Sequence, residues 1–170
     1  TMSWNWTETL RLRTENKLIT LEDMQNSWKS KIVLAGGVFD IIHPGHINTL
    51  NAAKKLGDFL VVVVATDKTA VKMKKRKPLH SAQLRQELVS SLNMVDLCII
   101  GDEEDIFKTV DLVKPEIIAL GYDQTHQEKF ITEGCKKINL DVEVARLESP
   151  RPETSSSAIQ KEYGKDIHDL

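Results

Sequence analysis

Short apolar runs alternate with helix-spaced apolar positions along most of this chain. Ile32-Val33-Leu34-Ala35 is the first run, and residues 60–65, 97–100, 117–120 and 142–145 are the others. Each is strand-sized, and the first four are apolar at successive positions, the pattern of a parallel strand covered on both faces, while the last contains Glu143. Between the runs, Ile47, Leu50, Ala53 and Leu56 recur at helical spacing. Leu84, Leu88 and Leu92 do so after Ser81, and Ile106, Val110 and Val113 before Pro115. A further helix is predicted over residues 127–138. Pro44 suits the first helical position, where a missing N–H costs nothing.

This alternation predicts an α/β fold: a Rossmann-like, doubly wound parallel sheet of about five strands with helices on both faces. In such sheets ligands bind at the carboxyl ends of the strands, near the point where strand order reverses. Gly36-Gly37, Thr66-Asp67 and Gly121-Tyr122-Asp123 all fall at predicted strand ends, so they should share one rim. Residues 1–30 stand apart. They hold all three tryptophans (Trp4, Trp6, Trp28), and Leu21, Met24 and Trp28 fit one face of a short helix. They read as a lead-in segment to a single domain spanning 31–170. Thr1 ahead of Met2 reads as a remnant of an expression tag.

Composition narrows the class without naming the chemistry. The 170 residues are 41% hydrophobic and 28% charged, ordinary for a globular protein. No apolar run reaches membrane-spanning length, and the amino terminus lacks a signal-peptide layout. Two cysteines, Cys98 and Cys135, make neither a disulfide framework nor a metal pattern. A cytoplasmic protein with no membrane partner is expected. The net charge of −2 gives no general pull towards nucleic acid.

The chemistry concentrates in Gly36-Gly37-Val38-Phe39-Asp40-Ile41-Ile42-His43-Pro44-Gly45-His46. Two histidines three apart across a helix start lie on one face. The amides of a first helical turn form an anion site, and the glycine pair lets a ligand approach the backbone. A phosphate fits there. Lys72, Lys74, Lys75 and Lys77 belong to a basic run over residues 68–77 that is either a solvated face, an RNA-binding patch or a polyphosphate contact. Arg85 lies within a predicted helix. Ser155-Ser156-Ser157 before Ala158-Ile159 reads as a linker or as a capped, phosphate-binding helix start.

Gly-Val-Phe-Asp-Ile-Ile-His-Pro-Gly-His resembles the HxGH signature of the cytidylyltransferase-like nucleotidyltransferases. That family includes glycerol-3-phosphate cytidylyltransferases, heptose-phosphate adenylyltransferases and archaeal FAD synthases. The resemblance runs from about Lys31 to Ile159. It implies transfer of a nucleoside monophosphate from ATP or CTP to a phosphorylated acceptor, with release of pyrophosphate. By motif position it implies that His43, His46 and Lys72 are catalytic. Gly37, Val38, Phe39, Lys74, Arg85, Gly121, Asp123 and Ser156 would bind the nucleotide, and Asp40 and Arg151 the acceptor. Mg²⁺ would arrive on the triphosphate, with no ligand from protein side chains, and a homodimer is expected. Gly121-Tyr122-Asp123-Gln124 and Arg76-Lys77-Pro78 look most like the archaeal FAD synthases, making FMN the favoured acceptor. Glycerol 3-phosphate or another small phosphate or phosphonate with CTP is the alternative. A non-catalytic nucleotide- or RNA-binding protein is the reading from another class.

Overall fold

A computed structural model describes residues 11–14, 17–26 and 30–148. Its centre is a five-stranded, all-parallel sheet built from β3 (Ile32–Gly37), β4 (Phe59–Val64), β5 (Leu97–Ile100), β6 (Ile117–Leu120) and β7 (Glu143–Arg146). The strand order is β5-β4-β3-β6-β7. The chain therefore builds outward from β3 to one edge, then crosses back and builds outward from β6. The reversal lies between β3 and β6.

Alternation along the strands divides the core into two halves. Ile32 and Leu34 point to one face, with α5 (Ile106–Val113) and α6 (Glu128–Lys137) supplying Val110, Val113, Ile131 and Cys135. Val33 and Ala35 point to the other, against Leu50 and Ala53 of α2 (Pro44–Lys54) and Val89 of α4 (Ala82–Ser90). The runs are apolar at successive positions because both faces are covered. Asp96 is buried and accepts from the Leu60 amide (2.7 Å) while paired with Lys54, so it ties α2 to the start of β4.

Two elements were not foreseen. α3 (Asp67–Lys74) occupies most of the basic run. Only Ala70 on it is buried, so no apolar stripe announced it. It is set instead by its ends: Thr66 accepts from the Thr69 amide (3.1 Å), and Lys75 closes it in the left-handed conformation. The second is an antiparallel pair, β1 (Arg11–Thr14) and β2 (Lys17–Thr20), within the expected lead-in. Arg11 to Lys17 is mostly polar, so neither strand carries a continuous apolar run like those of the central sheet.

The helix expected in the lead-in is α1 (Leu21–Asn26). Leu21 and Met24 are buried in the core half shared with α5 and α6. Gln25 donates to the Leu112 and Val113 carbonyls (3.0 and 2.9 Å), which end α5 and have no donor within the helix. Trp4, Trp6 and Trp28 lie outside the described residues.

Gly134 marks where α6 meets α5. A Cβ there would come within 1.8 Å of Phe107 Cζ, so the ring lies on the bare backbone. Gly134→Ala is expected to destabilise the protein by about 1–3 kcal/mol through overpacking, against the usual helix-favouring gain of alanine. A chemical denaturation midpoint at or above wild type would contradict this packing.

Candidate active site

The carboxyl ends of β3 and β6 are paired only as far as Ala35–Ala119. Beyond that point the two strands part, and Gln124 spans the gap. Its Nε2 donates to the Gly36 carbonyl (2.9 Å) and its Oε1 accepts from the Gly121 amide (3.0 Å). Above this bridge opens a cavity of about 370 Å³. Gly37, Val38, Phe39, Asp40, His43, His46, Lys74, Gly121 and Asp123 all line it. Nine of the residues singled out from the sequence are thus brought to one place, as a shared rim predicted.

Its wall is made by the start of α2. His43 is the N-cap, in extended conformation, and its Nδ1 accepts from the Gly45 amide at 3.1 Å. His46 reaches back so that its Nδ1 accepts from the His43 amide at 3.4 Å. This is a capping box made of two imidazoles. The sequence reading had the amides of this turn open to an anion. The structure differs: Pro44 has no N–H, and the Gly45 and His43 amides are occupied by the histidines themselves. Because Nδ1 of His43 accepts, its proton sits on Nε2, leaving that N–H as the donor. The helix start therefore acts on a ligand through the histidine it orients.

The two rings stack, with centroids 3.8 Å apart and planes 28° from parallel. Phe39 lies against the far side of His46, 5.2 Å between centroids. Two charged imidazoles could not stack so closely at low cost, and the surroundings favour neutrality. Burial, the neighbouring His43 and Lys74 bring the His46 pKa down to about 4, against a smaller opposing contribution from the Ile41 carbonyl. His43 is lowered chiefly by burial and also by Lys74, while Asp123 works against the shift. Phe39 holds this arrangement with φ at 54°, a left-handed conformation that an aromatic residue adopts only when its surroundings enforce it.

Other expected residues stand elsewhere. Lys72 is exposed and outside the cavity lining, two residues from Lys74 and so on nearly the opposite face of α3. Arg85 is fully buried and its guanidinium is already committed. It donates to the Val38, Ala65 and His80 carbonyls (2.8, 2.8 and 3.0 Å) and pairs with Asp67 at 2.8 Å. Its place is under the rim, where it positions Val38 instead of lining the cavity. Asp40 lines the cavity but also accepts from the Leu79 amide (2.8 Å) and faces Arg76 at 3.4 Å, anchoring the loop after α3. Ser156 and Arg151 lie outside the described residues. Gln124 was missed as a functional position, although its place after Gly121-Tyr122-Asp123 marked it.

An open parallel sheet with a histidine-lined cavity at its reversal point defines a nucleotide-handling enzyme of the α/β class. Residues 34–162 match the Cytidylyltransferase-like family model, and the chain belongs to that family. It is a nucleotidyltransferase. Among its relatives is the FAD synthase of Picrophilus torridus, 48% identical over 74% of this chain and 90% of that protein. A solved structure described as a lipopolysaccharide core biosynthesis protein from Thermoplasma volcanium is 45% identical, with a TM-score of 0.67 over 71% of this chain and 98% of the other. The pantoate-beta-alanine ligase of Francisella tularensis shares the fold at 16% identity, with a TM-score of 0.57 over 88% of this chain and 75% of the other.

The lowered histidine pKa values make a sign-definite prediction. A histidine whose pKa is lower folded than unfolded leaves the unfolded chain binding more protons between the two values. For His46 that window runs from about 6.5 down to about 4. Stability is therefore expected to be unaffected by this group above the window and to fall on acidification through it, by at most about 3 kcal/mol. Denaturation midpoints at pH 7 and 4.5 should converge in His46→Asn relative to wild type. An unchanged pH dependence in that variant would remove His46 as the cause.

Proposed function

We propose that this protein transfers the adenylyl group of ATP to FMN, forming FAD and pyrophosphate. The transfer chemistry rests on one observation: His43, His46 and Lys74 converge on a single cavity at the sheet's reversal point. The choice of acceptor rests on the 48% identity to an FAD synthase over nearly its whole length.

The FMN phosphate monoester has its second pKa near 6, so it is largely a dianion at neutral pH and needs no general base. One of its oxygens attacks the α-phosphorus of ATP. The new P–O bond forms in line with the breaking bond to pyrophosphate, which leaves with the electron pair. No covalent enzyme intermediate is required. Negative charge grows on the α-phosphate and the departing oxygen, and fixed donors lower the barrier by meeting it. His43 donates from Nε2, held to that tautomer by its cap, and His46 is fixed beside it between His43 and Phe39. Lys74 supplies a mobile charge for the β- and γ-phosphates. Lys72, on the outside of α3, adds only a solvent-screened field. Gly121 and Asp123 face the adenosine. Mg²⁺ carried in by the triphosphate would supply positive charge to offset that of the phosphates and the leaving pyrophosphate. Among the described residues no group of three or more His, Cys, Asp or Glu side chains is placed to hold a metal ion.

A phosphorylated sugar acceptor is the second reading, supported by the description of the 45% identical structure as a lipopolysaccharide core biosynthesis protein. Pyrophosphate release with ATP or CTP against FMN, glycerol 3-phosphate and a heptose phosphate separates the two. FAD formation from ATP and FMN is expected, and its absence while a sugar phosphate turns over would replace the flavin reading.

Within the flavin reading, His43→Ala is expected to lose roughly a hundred- to a thousandfold in turnover, the usual cost of one oxyanion donor. Lys74→Ala should weaken ATP binding more than AMP binding, while Lys72→Ala leaves both nearly as in wild type. Equal losses in the two lysine variants would mean that both reach the phosphates.

A further inference from the structure

A second cavity, of about 220 Å³, opens at the same strand ends on the opposite face of the sheet. The alternation of side chains fixes which face. Ala35 and Leu50 of the histidine cavity belong to the α2 half of the core, whereas Leu34, Ile118 and Val110 of the second cavity belong to the α5–α6 half. Phe107, Ile106 and Ile131 complete a wall that is mainly apolar, with Thr69 and Gln127 among its few polar side chains. Ile106 stands at the first position of α5 with 46% of its surface exposed.

The two cavities meet. Gly36, Gly37, Met73, Ala119, Gln124 and Gln127 line both. Gly36 shares the face of Leu34 and is exposed, and a Cβ added to it would find nothing nearer than Val63 O at 3.6 Å. A side chain there would stand at the junction. Without one, a ligand can cross the sheet edge from the apolar cavity to the histidines against bare backbone.

We propose that the second cavity takes the planar isoalloxazine ring of the flavin acceptor, its ribityl phosphate crossing Gly36-Gly37 to reach the histidine cavity. This rests on the FMN reading above and assigns a place to each end of that molecule. The acceptor is a large fused ring at one end and a dianion at the other, and the protein offers an apolar slot joined to a cationic, donor-rich one. The dimethylbenzene edge of the ring suits the aliphatic wall, and Phe107 offers an aromatic edge or face. Gln127 and Thr69 supply hydrogen-bonding groups for the ring's pyrimidine end. A small polyol phosphate would leave this wall wet. Few aromatic residues are needed, because Leu34, Val110, Ile118 and Ile131 supply aliphatic surface to the slot.

The test uses wild type, Gly36→Val and Ile106→Asp, each measured for the KM of FMN and of ATP and for quenching of riboflavin fluorescence. Riboflavin carries the ring without the phosphate. Gly36→Val puts an isopropyl group at the junction. Ile106→Asp puts a charge on the wall at a half-exposed helix start, where a carboxylate is compatible with folding. Both variants are expected to raise the KM of FMN and weaken riboflavin binding by about tenfold or more, a factor that corresponds to each 1.4 kcal/mol of lost ring burial. The KM of ATP should stay within about twofold of wild type in Ile106→Asp, whose side chain lines the second cavity and not the histidine cavity. FAD synthesis with an unmoved FMN KM in Ile106→Asp would overturn the cavity assignment and leave the FMN reading standing. A raised KM for ATP alone would instead place the adenine there and overturn it too. If wild type neither makes FAD nor quenches riboflavin, the FMN reading falls and this assignment falls with it.

Discussion

The rim of the site depends on one buried cation. Arg85 rises from α4 into a space with no access to water, where an unpaired guanidinium would cost several kcal/mol. The cost is met by geometry: three carbonyls and the Asp67 carboxylate accept from it at 2.8–3.0 Å. Those acceptors come from the loop after β3, the end of β4, the start of α3 and the residue before α4's cap. One side chain therefore ties the segments that follow β3 and β4, where their backbone ladder ends at Gly37 and Ala65, to the starts of α3 and α4. Gln124 does the same across the β3–β6 gap at lower cost, being neutral. Between them these residues hold open the ends of a sheet whose strands would otherwise be joined only by pairing that has already stopped.

On that rim the histidines act because they are constrained. Each imidazole spends one nitrogen on capping α2, and burial with Lys74 nearby favours the uncharged ring. A neutral imidazole with a fixed tautomer is a directed donor whose alignment costs nothing at the moment of reaction. The strained backbone of Phe39, packed on His46, belongs to the same device. The groups that complete the helix start are the same imidazoles that line the cavity, so capping and the site's geometry are coupled.

The position of the site on the sheet also accounts for its two-sidedness. A reversal in strand order leaves a cleft with a helix layer on each side, so a ligand at the strand ends can reach both halves of the core. The glycine pair at the end of β3 removes the side chains that would separate them. The α2 side presents imidazoles and lysine, and the α5–α6 side presents aliphatic wall. A substrate with a polar and an apolar end matches that division.

Much of this was written in the sequence. Four continuous apolar runs with helical patterns between them determined a parallel sheet covered on both faces, because strands buried on both sides carry few polar residues, whereas the edge strand β7 has Glu143 and Arg146 exposed. Glycines and histidines at strand ends located the rim, since chain direction alone puts all carboxyl ends together in a parallel sheet. Thr66-Asp67, by contrast, gave no sign of α3, because a helix lying on the surface with a single buried residue has no apolar stripe to read. Arg85 looked like a candidate ligand contact, and only the folded chain shows that three carbonyls and a carboxylate claim it. Lys72 and Lys74 were equivalent in sequence, but the helix turns one outward and the other over the cavity. The sequence by itself determined which elements form and which edge carries the chemistry, for both follow from local pattern and chain direction. Only the tertiary structure decided which polar groups are already engaged and which meet a ligand, because hydrogen bonds between distant segments leave no periodic trace.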